Sequence, residues 1–74
     1  MDRTVAIRID GMLKSSTASL DGIAHYMKNN LSAEEYAELV KSVGYAMGAL
    51  FDISQSLYSR FPEITPKELI PPDN

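Results

Sequence analysis

From Ser32 onward the chain places its apolar residues at helical spacing. Tyr36, Leu39, Val40, Val43, Ala46, Met47, Leu50, Phe51, Ile53, Leu57, Tyr58 and Phe61 fall in one arc of roughly 160° when projected at about 100° per residue. Ser32-Ala33-Glu34-Glu35 supplies the start: the serine hydroxyl caps the third amide of the helix and the glutamate reaches back to the serine N–H. Leu31 and Tyr36 are spaced to close a hydrophobic staple over that turn, and two acids suit the positive end of the helix dipole. Phe61-Pro62 supplies the stop, because a residue before proline is pushed out of helical space. The pattern predicts a helix over 33–60. A helix with one neighbour needs a stripe of only about 100°, so the wider arc predicts two neighbours, one within the chain and one from a second copy. Ser54, at the centre of the arc, is expected to bond back to the carbonyl of Leu50.

Met12, Leu13, Ser16, Leu20, Ile23, Ala24 and Met27 share one face, which predicts an earlier helix over 12–29. Asn29-Asn30 is read as its end, since asparagine tolerates the left-handed conformation that closes many helices. The connection is short, so the two helices fold back antiparallel.

The segment before them alternates differently. Val5, Ile7 and Ile9 stand on one side of an extended chain and Thr4, Ala6, Arg8 and Asp10 on the other, with Asp10-Gly11 as punctuation. A strand over 4–9 uses every apolar residue, whereas a helix continued back to residue 4 keeps Val5 and Ile9 on the core side and exposes Ile7. The strand is the preferred reading. A lone strand cannot stand in water, so it would pair with its counterpart in a second chain.

The fold class is therefore mainly α. A short N-terminal strand and two antiparallel helices form a single domain over 1–61 in an intertwined homodimer, followed by a C-terminal turn and tail over 62–74. The alternative is an all-α helical hairpin that dimerises into a four-helix bundle. The expected dimer core is Val5, Ile7, Ile9, Leu39, Val43, Met47 and Leu50. Gly44 and Gly48 lie one turn apart at the edge of the arc. Together they cost a helix interior about 2 kcal/mol against alanine, which predicts a close helix crossing there. In the tail, Thr65-Pro66-Lys67-Glu68 has the pattern of a further helical turn, and Pro71-Pro72-Asp73-Asn74 is expected to be loose.

Val5-Ala6-Ile7-Arg8-Ile9-Asp10, Leu13, Leu20-Asp21-Gly22-Ile23-Ala24 and Ser32-Ala33-Glu34-Glu35-Tyr36 together resemble the ribbon-helix-helix family over about residues 3–50. Thr17 stands where that family has an apolar residue, and both helices are longer than usual for it. The resemblance implies DNA binding by a two-stranded ribbon, with Thr4, Ala6 and Arg8 facing base edges and the start of the second helix clamping a phosphate. Arg8 is the one long donor there able to grip a guanine bidentately.

Charge opposes that use. The 74 residues carry a formal charge of −3, and the acids crowd the second half, where Glu34 and Glu35 would repel a phosphate. Arg3 and Lys14 add few backbone contacts beside the six to ten or so of tight DNA binders. With 45% hydrophobic and 23% charged residues the composition is that of a globular chain, but one this short buries little core alone. The absence of cysteine removes disulfides as a support. Neither a membrane-spanning stretch nor a secretory leader is legible, so the expected location is cytoplasmic.

Catalytic patterns are sparse. His25, with Asp21 and Asn29 a turn away on either side, makes two metal ligands at best, short of the three a catalytic zinc needs. Ser15, Ser16, Thr17 and Ser19 have no placed base. No enzyme, metal, cofactor or small-molecule substrate is expected. The functional expectation is a small homodimeric regulator that binds another protein, such as a transcription regulator, through Arg3, Thr4, Arg8 and Tyr45. The alternative is a ribbon-helix-helix DNA-binding repressor or antitoxin. Tyr45 stands out because it projects from the polar side of the second helix, and exposed tyrosine is enriched at interfaces.

Overall fold

The computed structural model describes residues 1–67. Two helices of 28 residues each, α1 (Arg3–Asn30) and α2 (Ala33–Arg60), are joined by Leu31 and Ser32 and followed by a 3-10 turn over Pro62–Ile64. So short a link forces the helices back along each other.

The N-terminal strand is not formed. Residues 4–9 belong to α1, which starts at Arg3 because Asp2 caps it: its Oδ1 accepts from the Val5 amide at 2.9 Å. A strand would leave its backbone groups waiting for a second chain, whereas the helix satisfies them within the segment. The alternation of Val5, Ile7 and Ile9 coexists with a helical stripe that runs through the residues between them. Ala6 is fully buried and Asp10 nearly so, while Val5 and Ile7 are exposed. Asp10-Gly11 is helix interior, not punctuation. The intertwined ribbon dimer, the strand of the expected strand-helix-helix domain and a core built on strand pairing of Val5, Ile7 and Ile9 fall with the strand reading, and the described residues fit the all-α hairpin.

The hairpin closes along a seam spaced alternately by three and four residues. On α1 and its cap the seam is Ala6, Asp10, Leu13, Thr17, Leu20, Ala24, Met27 and Leu31. On α2 and its cap it is Tyr36, Val40, Val43, Met47, Leu50, Ser54, Leu57 and Phe61. All but Thr17 are buried or half-buried. This is the heptad spacing of packed helices. Ala6, Leu13 and Leu57 cluster at the open end, with Ile9, Leu50, Tyr58, Phe61 and Ile64 against them. The residues just after α2 thus help close the core, beyond the boundary expected at residue 61.

The start of α2 is as the sequence predicts. The Glu35 amide donates to the Ser32 hydroxyl oxygen at 3.1 Å, and the Glu35 carboxylate accepts from the Ser32 amide at 3.3 Å. The end of α1 differs from the expectation. The chain leaves through Leu31 in an extended conformation, no described residue takes a positive φ, and the Asn30 side chain donates to the carbonyl of Tyr26 at 2.8 Å. The backward hydroxyl bond on α2 is made by Ser56 to the carbonyl of Asp52 at 3.3 Å, while Ser54 faces the Tyr58 hydroxyl. The turn expected at Thr65–Glu68 runs out of the described residues at Glu68, and Pro71–Asn74 lies wholly outside them.

Candidate interaction surface

One polar cluster lies inside the seam. Asp10 is 7% exposed; its Oδ1 accepts from the Tyr58 hydroxyl at 2.6 Å and its Oδ2 pairs with Lys14 Nζ at 3.0 Å. Burial pushes the Asp10 carboxyl up, but the hydrogen bond from Tyr58 and the Lys14 ammonium outweigh it and hold the group below the usual carboxylate range. Burial and the neighbouring Asp10 carboxylate push the Tyr58 hydroxyl up to about 12. The cluster ties the two helices together at their open ends. Sequence reasoning misses it because the alternation of residues 4–9 makes Asp10, with Gly11, the punctuation after a strand. The signal was present: Asp10 is four residues after Ala6 and three before Leu13, inside an apolar stripe.

The residues expected to meet a partner are scattered. Arg3 pairs with Glu63 at 3.5 Å and fastens the start of α1 to the turn after α2. Thr4 and Arg8 are exposed on the outer side of α1. Tyr45, 80% exposed, stands on the outer side of α2, roughly 20 Å away from Arg8 along the hairpin axis at about 1.5 Å per residue. Ala6, which a ribbon would send to the base edges, is buried against Leu13 and Leu57. Of the three residues singled out for base reading, Thr4 and Arg8 therefore share the outer side of α1 and Ala6 is withdrawn from it.

Gly44 and Gly48 do not meet another helix of the chain, since nothing lies within 4 Å of a Cβ built on either. They open onto the outside of α2 between Tyr45 and Phe51, the latter 52% exposed. Of the expected dimer core, Val43 is buried, Met47 and Leu50 are half-buried in the seam, Ile9 is half-buried against the Ala6–Leu13–Leu57 cluster, and Leu39 is exposed along with Val5 and Ile7. Among the described residues no three metal-ligating side chains come together, and no helix is long and apolar enough to cross a membrane.

No protein-family model, curated protein or solved structure matches this sequence.

Proposed function

We propose that the chain is a small, non-enzymatic, homodimeric regulator that works in the cytoplasm by binding and sequestering another protein. The observation that carries this reading is the outer strip of α2. Tyr45 and Phe51 project into solvent on either side of two glycines that nothing covers. Glycines weaken a helix, and in this position they leave the backbone open to close approach by a partner. Tyrosine and phenylalanine supply apolar area at small conformational cost, as anchors at protein interfaces do. The net charge of −3 favours a protein with a basic or neutral surface over nucleic acid.

The test is capture by the immobilised chain, comparing wild type with the double variant Tyr45→Ala, Phe51→Ala. Both side chains are exposed, so the hairpin should keep its helicity. A protein retained in stoichiometric amount by the wild type and lost with the double variant supports the proposal. Equal retention by both would place the binding surface elsewhere.

A further inference from the structure

The side of the hairpin away from the Asp10–Tyr58 hydrogen bond is apolar on both helices. At about 100° per residue, Val5, Met12 and Ile23 flank the seam of α1 on the side opposite Asp10, and Leu39, Ala46 and Ile53 flank that of α2 on the side opposite Tyr58. Because Asp10 and Tyr58 meet, the two apolar flanks lie on one common face. Val5, Met12, Ile23, Leu39 and Ile53 are each between 46% and 54% exposed there.

The geometry points to a second copy of this chain as the occupant, packed face to face and antiparallel so that α2 lies on the partner's α2 about a two-fold axis at Ala46. This deepens the proposed homodimer by naming its interface and orientation. Two observations choose the arrangement. Leu39, Ala46 and Ile53 are seven residues apart, so a two-fold at the small central alanine sets Ile53 of one copy over the partner's Leu39. The charges at the rim agree: Arg60 closes the face at the open end and Glu35 at the loop end, and the antiparallel arrangement brings these opposite charges together. The other two-fold packing, loop end on loop end, would set Arg8 against the partner's Arg60. Like charges directly opposed are unfavourable. The product is a four-helix bundle that leaves Tyr45, Gly48 and Phe51 facing outward.

Sedimentation equilibrium of the full chain, with Ile53→Asp, Gly48→Leu and Ala46→Cys, tests the assignment. The wild type should sediment as a dimer, I53D should weaken association at least a hundredfold, and G48L should leave it unchanged. Because the parent lacks cysteine, any disulfide in A46C reports that site alone. A residue on a two-fold axis faces itself, so A46C should oxidise to a covalent dimer while Gly48→Cys stays monomeric on a reducing-agent-free gel. A monomeric wild type, a dimer indifferent to I53D, or cross-linking through Gly48→Cys and not A46C would each overturn the inference. Should I53D lose its helical circular dichroism signal, the cysteine pair still decides, since alanine to cysteine is a mild change. A monomer that still captures a protein through Tyr45 and Phe51 would overturn this interface and leave the protein-binding role standing.

Discussion

The Tyr58 hydroxyl donates to Asp10 across 48 residues of sequence at 2.6 Å, and this bond pins the end of α2 to the beginning of α1. A carboxylate in a helix seam costs desolvation unless its oxygens are satisfied, and here Tyr58 takes one and Lys14 the other. Hydrogen bonds to charged groups contribute about 1.5–3 kcal/mol. Tyr58→Phe keeps the ring and removes the bond, so it should destabilise the protein by about 1–3 kcal/mol in urea unfolding followed by circular dichroism. Tyr58→Phe combined with Asp10→Leu should recover part of that loss, because the unsatisfied carboxylate goes with its partner.

The same pair sets the acid response. Asp10 is held below its ordinary value of 3.8, so its contribution is fully present above the ordinary carboxylate range and is lost as pH falls through the lowered value. Acid titration of stability should show a loss below that range which Asp10→Asn removes. An unchanged acid limb in D10N would assign the loss to other carboxylates.

Tyr58 sets the alkaline response with the opposite sense. Its value rises from 10.0 unfolded to about 12 folded, so the stabilisation is complete below pH 10 and is lost as pH climbs through 12. Tyrosinate absorbance should show a late step belonging to Tyr58. Y58F should abolish that late step and flatten stability over the same interval.

Ser32 and Glu35 exchange hydrogen bonds at the start of α2. Ser32→Ala should cost about 1 kcal/mol, as N-cap removals do. Glu35→Ala should cost less, because the serine cap survives. Thermal melts of the two variants give the ranking directly.

Gly48→Ala places a methyl group where nothing lies within 4 Å. Alanine is preferred to glycine in a helix interior by about 0.8–1 kcal/mol, so this variant should melt at a higher temperature than the wild type. If a partner approaches α2 there, the same substitution weakens capture while strengthening the fold. Opposite shifts in the two measurements would identify Gly48 as a binding residue.

Local chemistry made α2 legible in the amino-acid sequence. Its cap, its proline stop and its apolar period depend on neighbours within a few residues, and both observed ends, Ala33 and Arg60, agree with that reading. The short link and antiparallel return were legible for the same reason. The state of residues 4–9 was not. Val5, Ile7 and Ile9 alternate like a strand, while Ala6, Asp10 and Leu13 carry a helical seam, and a buried aspartate is a plausible seam residue only once Tyr58 is known to reach it. That partner lies at the far end of the chain, and only the folded hairpin brings it near. The candidate partner residues followed suit: Tyr45 was recognisable as exposed from its place on the wheel, but its distance from Arg8 depends on which ends of the two helices adjoin. Periodicity and caps thus determined α2 and the later part of α1, and tertiary packing decided the state of residues 4–9 and which apolar side chains remain uncovered.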